Sequence, residues 1–111
     1  MGATPSVPPE LTLDIDTTMD HIVVRCSGRI TSVSVEQLLN TVRPLILQTR
    51  KIVLDLAQLR YLDSAGLGTV VQLWSAAKQA GTELSVINLT ERVQDLLNLA
   101  NLSSLFQSKQ H

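Results

Sequence analysis

The chain has 111 residues, which fits one domain and leaves no room for a second. Its hydrophobic content of 44% suffices for a core without disulfides or metals, and with aromatics at 3% that core must be built from Leu, Val, Ile and Ala. A net charge of −1 argues against non-specific attraction to nucleic acid or an anionic membrane, and leaves a protein partner open.

The elements read as follows in chain order. Met1 to Glu10 carries Pro5, Pro8 and Pro9 and reads as an extended, flexible lead-in. It has no basic segment followed by a hydrophobic stretch, so no secretory signal is expected. Leu11, Leu13 and Ile15 alternate with polar residues, the pattern of a half-buried strand. Asp16 to Asp20 reads as a turn. His21 to Ser27 suits a second strand ending at Gly28, close enough to the first for a hairpin. The single cysteine, Cys26, reads as a small apolar strand residue; it excludes an internal disulfide and fits a reducing compartment.

Val35, Leu38, Leu39, Val42 and Ile46 follow the rhythm of one helix face, with Ser32 or Ser34 positioned to cap its start. Pro44 lacks an amide hydrogen and crowds the preceding turn, so a kink or break is expected near Arg43. Lys51 to Leu56 is a near-continuous apolar run, as in a central strand covered on both faces. Leu67, Val70, Val71, Trp74 and Ala77 then recur at helical spacing, with Leu73 on the flank of the stripe as either a half-buried residue or a partner contact. Gly81 is placed to end that helix. Glu83 to Ile87 reads as a strand. Thr90 caps a last helix whose buried face is Val93, Leu96, Leu97 and Ala100, and Leu102, Leu105 and Phe106 give the tail residues to pack with. The order β-β-α-β-α-β-α predicts an α/β domain: a mixed sheet of about four strands, with helices packed on it by right-handed crossovers.

Asp63-Ser64-Ala65-Gly66-Leu67-Gly68 stands between a buried strand and a helix start. Amides at a helix start lack internal partners and carry partial positive charge, so they suit an anion such as a phosphate on Ser64. The same residues also read simply as a cap and a turn, since Asp and Ser cap helices and Gly permits close packing. Neither a Walker A nor a dinucleotide-binding glycine pattern is present. His21 and His111 are far apart with no Cys pattern, so no metal site is expected. Arg25, Arg29 and Arg60 are scattered without stacking aromatics, so nucleic acid is not expected as a partner. No apolar run reaches the roughly 18 residues that span a bilayer, so no membrane insertion is expected. No general base, metal cluster or activated nucleophile can be named, and neither an enzyme activity nor a cofactor is expected.

The run Arg60 to Gly68, behind the strand Ile52-Val53-Leu54-Asp55-Leu56, resembles the signature of anti-sigma factor antagonists, bacterial members of the STAS family. The likeness extends to Gly28, the Gly81 turn, Leu84 to Ile87, Val93, Leu96, Leu97, Leu102 and Phe106. It implies a STAS domain over residues 11–106, between a lead-in at 1–10 and a tail at 107–111. It further implies a cytoplasmic protein that works by docking. Ser64 would be the phosphoacceptor, and Asp63, Ala65, Gly66, Leu67, Gly68 and Thr31 would meet the partner. That partner would be an anti-sigma factor that is also a serine kinase, with a serine phosphatase resetting the switch. Family members often carry an acid where this chain has Thr31, and a second hydroxyl residue where it has Ala65. The uncharged Thr31 motivates an alternative: a constitutive scaffold or accessory subunit of a signalling or membrane transport complex.

Overall fold

A computed structural model describes residues 9–99. The elements are β1 (Leu11–Thr17), β2 (Ile22–Ile30), α1 (Val35–Ile46), β3 (Lys51–Leu62), α2 (Ser64–Gln79), β4 (Glu83–Ile87) and α3 (Glu91–Leu99). The strands form one sheet in the order β1-β2-β3-β4. β1 and β2 pair antiparallel as a hairpin, from Leu11 opposite Gly28 to Thr17 opposite Ile22. β2 with β3, and β3 with β4, are parallel, joined through α1 and α2. This is the mixed α/β sheet that the order of elements predicts. Leu96, Ala100, Leu102, Leu105 and Phe106, read above as packing residues, lie outside the described side chains.

The core follows the alternation of the strands. Ile22, Val24, Cys26 and Ile30 of β2, Ile52, Leu54 and Leu56 of β3, and Leu84 and Val86 of β4 are all buried. Val53 is buried too, as expected of a central strand covered on both faces. Both crossovers step the same way along the sheet, so crossovers of the same hand put both helices on one face, and α1 and α2 do pack against each other. α3 contacts β3 and adds Val93 and Leu97 to the core. β1 is an edge strand, and its burial fades along its length: Leu11 is fully buried, Leu13 half-buried and Ile15 exposed.

Several expectations give way to local physics. β3 does not stop at Leu56 but runs to Leu62, paired with β2 as far as Ile30 opposite Leu62. Register shifts between Arg25 and Ser27 and between Gly28 and Arg29 break the alternation there, so Ala57 to Tyr61 do not look like a strand in sequence. α1 continues through Pro44 to Ile46. Proline denies a hydrogen bond to the carbonyl of Asn40, and Asn40 lies on the exposed side, where water can replace it. Leu73 is fully buried, while Trp74 is only half-buried with Lys78 stacked over its ring at 4.9 Å. Because α2 packs on both the sheet and α1, its buried arc is wider than one stripe and takes in Leu73. His21 precedes β2, in the turn where the Thr18 amide donates to the His21 carbonyl at 2.9 Å.

Gly81 ends α2 as expected. With φ +79, it lets the Gly81 and Thr82 amides donate back to the carbonyls of Lys78 and Ala77, at 3.2 and 2.8 Å. The Thr82 hydroxyl is buried and donates to the Ile46 carbonyl at 2.8 Å, which ties the end of α2 to the end of α1.

Burial first, and the nearby Asp55 charge second, push the Cys26 thiol up to about 12. The native protein is therefore expected not to react with a thiol-specific disulfide reagent at neutral pH, and to react fully once unfolded in guanidinium. Native-state labelling at the rate of a small free thiol would show that β2 is not packed as described.

Candidate functional site

The site is built where β3 hands over to α2. Leu62 is buried and ends the strand. Asp63 follows in extended conformation and caps the helix, its Oδ1 accepting from the Gly66 amide at 2.8 Å. The cap is thus Asp63 and not Ser64, which occupies the first helical position with its side chain exposed.

Helical rotation divides the signature into two sides. Ser64, Ala65 and Gly68 are exposed, whereas Gly66 and Leu67 are buried and Asp63 is half-buried. Gly66 has a steric reason. A Cβ there would collide with the Ile30 carbonyl oxygen and would lie 2.8 Å from both Ile30 Cγ2 and Leu62 Cδ1. Gly68 has none, since a Cβ there would meet no atom within 4 Å.

The neighbouring loop, residues 31–34 between β2 and α1, is bound to the same cap. The Asp63 amide donates to the Ile30 carbonyl at 3.2 Å, and the Ser32 amide donates to Asp63 Oδ2 at 3.3 Å. Thr31 is buried. Its hydroxyl donates to Glu10 Oε2 and accepts from the Val33 amide at 3.1 Å. Ser34 stands at the cap position of α1, but its hydroxyl makes no cap bond. It lies 2.7 Å from Glu10 Oε2 instead, and accepts from the Thr31 amide at 3.0 Å. So although Thr31 carries no charge, a carboxylate is bonded to it.

Glu10 is the residue of this site that sequence reading misses, because its partners lie 21 and 24 positions away and no periodicity links them. The Thr31 hydroxyl, then the Ser34 hydroxyl, hold its carboxyl below the usual 4.5; partial desolvation opposes them, Arg29 assists and the Asp63 charge opposes. A depressed carboxyl stabilises the fold above its unfolded value. The contribution is therefore complete above about pH 4.5 and is lost as the pH falls through Glu10's lower folded value.

Ser64 and Asp63 also line a cavity of about 430 Å³, with Tyr61, Leu62, Arg92, Val93 and Leu99 among others. The Arg29 guanidinium stacks over Tyr61 at 4.9 Å. Val33, Tyr61 and Leu99 are exposed apolar or aromatic residues around the start of α2. Among the described residues, no group of three or more His, Cys, Asp or Glu is arranged to hold a metal.

The two glycines separate packing from surface. Gly66→Ala should destabilise the protein by about 1–3 kcal/mol, since the added methyl is forced into a filled site. Gly68→Ala should leave stability unchanged or raise it by up to about 1 kcal/mol, since alanine favours a helix interior. Denaturant melts of the two variants test this, and equal losses would contradict the geometry.

Comparison with known proteins agrees with this architecture. The chain is 28% identical over 95 residues to the anti-sigma-B factor antagonist of Bacillus subtilis (strain 168), covering 86% of this chain and 87% of that one. It is similar in fold to an anti-sigma factor antagonist from Mycobacterium paratuberculosis, with a TM-score of 0.79 at 21% identity over 92% of this chain and 87% of the other. It is also similar to the anti-sigma factor antagonist SpoIIAA in its unphosphorylated form, with a TM-score of 0.74 at 19% identity over 86% of each chain. The family model of the STAS domain matches residues 12–111, and the chain belongs to the STAS domain family.

Proposed function

We propose that this protein is an anti-sigma factor antagonist, docking through the start of α2 and switched off by phosphorylation of Ser64. The observation that carries the reading is the division of labour at the start of α2. Asp63 caps the helix, which leaves the exposed Ser64 side chain unneeded for the fold. The relative in Bacillus subtilis, over most of both chains, supports the same reading.

In this reading the protein carries out no chemistry of its own. Its partner is an anti-sigma factor that is also a serine kinase, in the bacterial cytoplasm. Binding to it releases the sigma factor, and a serine phosphatase restores the docking form. Among the described residues no helix is long and apolar enough to cross a membrane. The exposed residues Ser64, Ala65 and Gly68 offer the direct contact. Gly66, Leu67 and the buried Thr31 shape that contact from beneath.

The physics of the switch is local. A phosphate adds about −1.5 to −2 charges at pH 7. On Ser64 it would stand one residue from the Asp63 carboxylate, in the middle of the docking face. Bulk, like charge and desolvation then act together against the partner. A tenfold loss of affinity requires only about 1.4 kcal/mol.

The test starts from the wild-type chain immobilised as bait in a lysate of its native host, with the captured kinase identified and purified. Ser64→Ala should bind that kinase as tightly as wild type and should not be phosphorylated by it. Ser64→Glu should bind at least about tenfold more weakly. Equal affinity for Ser64→Glu and wild type would sink the switch. Capture of scaffold or transporter subunits in place of a kinase would favour the constitutive reading.

A further inference from the structure

The Glu10 carboxylate is bound at the base of the loop whose far side is bonded to Asp63. Glu10 itself is anchored at its backbone: its carbonyl accepts from the Arg29 amide at 3.0 Å. That approach requires Gly28, which has φ +105 and where any Cβ would strike the Glu10 carbonyl oxygen. The next residue is also pinned, since Gln37 Nε2 of α1 donates to the Leu11 carbonyl at 3.0 Å. The Glu10 side chain is therefore projected from a fixed point.

From that point the carboxylate engages both ends of the loop. Oε2 accepts from the Thr31 hydroxyl, and the Ser34 hydroxyl approaches it at 2.7 Å. Both hydroxyls also accept backbone amides of the loop, from Val33 and Thr31. Polarising a hydroxyl by a carboxylate strengthens the bond it accepts, because charge-assisted hydrogen bonds reinforce their neighbours. On the outer side of the same loop, the Ser32 amide donates to Asp63 Oδ2, a long contact at 3.3 Å. The loop tip carries the exposed Val33, next in sequence to the Ser32 whose amide Asp63 accepts.

We propose that Glu10 is the positioning residue of this docking surface: from the segment ahead of β1 it holds the 31–34 loop against Asp63, and so shapes the face that Ser64 presents. The inference rests on the docking reading above for its functional half only. Its structural half, the holding of the loop, stands on the hydrogen bonds alone. Thr31 then acts on the partner through its placement of the loop.

The experiment compares Glu10→Ala and Glu10→Gln in the full chain. The first readout is amide exchange, which requires no partner. Glu10→Ala should speed exchange at Thr31 and Val33 by about tenfold, the scale of a lost charge-assisted bond, while Val53 and Leu54 in β3 keep wild-type protection. Glu10→Gln, whose amide oxygen still accepts, should recover part of that protection. The second readout is affinity for the captured kinase, at matched thermal stability. Glu10→Ala should weaken it by about tenfold and Glu10→Gln by less. Wild-type exchange in Glu10→Ala would overturn the holding role. Altered exchange with unchanged affinity would overturn the effect on docking. Lost affinity with unchanged exchange would make Glu10 a direct contact and overturn the positioning role. If the wild-type chain captures no kinase, the docking reading fails, and exchange alone decides whether Glu10 holds the loop.

Discussion

The end of β2 and the first turn of α2 meet with no side chain between them, and the rest of the site depends on that approach. The Ile30 carbonyl oxygen lies too close to residue 66 for a Cβ to fit there, and the same carbonyl accepts the Asp63 amide. Glycine at 66 is thus the condition for α2 to start this close to the sheet. Once the helix starts there, its rotation is fixed. Leu67, Val70 and Leu73 turn into the core, and Ser64, Ala65 and Gly68 turn outward. An exposed serine at the first helical position follows from where the helix is forced to pack.

Two carboxylates divide the polar work around that serine. Asp63 satisfies the helix start and accepts one loop amide. Glu10 satisfies the loop hydroxyls from the opposite side. Neither bond set uses the Ser64 side chain to hold the fold, so a group added there changes the surface without removing a cap. That separation suits a modification switch. Signalling by a phosphate on a residue that also capped the helix would couple every switching event to local melting.

Periodicity made most of this fold legible. Ile22, Val24 and Cys26 alternate as a strand must, and Val35, Leu38, Val42 and Ile46 mark one side of a helix because only one side of α1 is buried deeply. Reading from pattern failed where packing departs from one face. The second half of β3 is hidden because its register shifts break the alternation. Leu73 and Trp74 exchange their expected places because α2 is covered from two directions. Pro44 does not break α1, because the carbonyl it leaves without a partner, at Asn40, can turn to water. In the candidate site, the Asp63–Gly68 run was legible as a strand-to-helix cap, and the division between its capping and exposed residues came only with the helix phase. Glu10 was illegible, since nothing local in a sequence links a carboxylate to hydroxyls 21 and 24 residues on.

The central claim is that Ser64 is a modified docking residue, and intact-mass spectrometry of the protein recovered from its native host tests it most directly, with peptide mapping across residues 60–78. The account predicts a fraction carrying one phosphate, mapped to Ser64, that shifts with growth conditions. Protein that stays unmodified at Ser64 under every growth condition would contradict it, and the exposed serine would then be only surface.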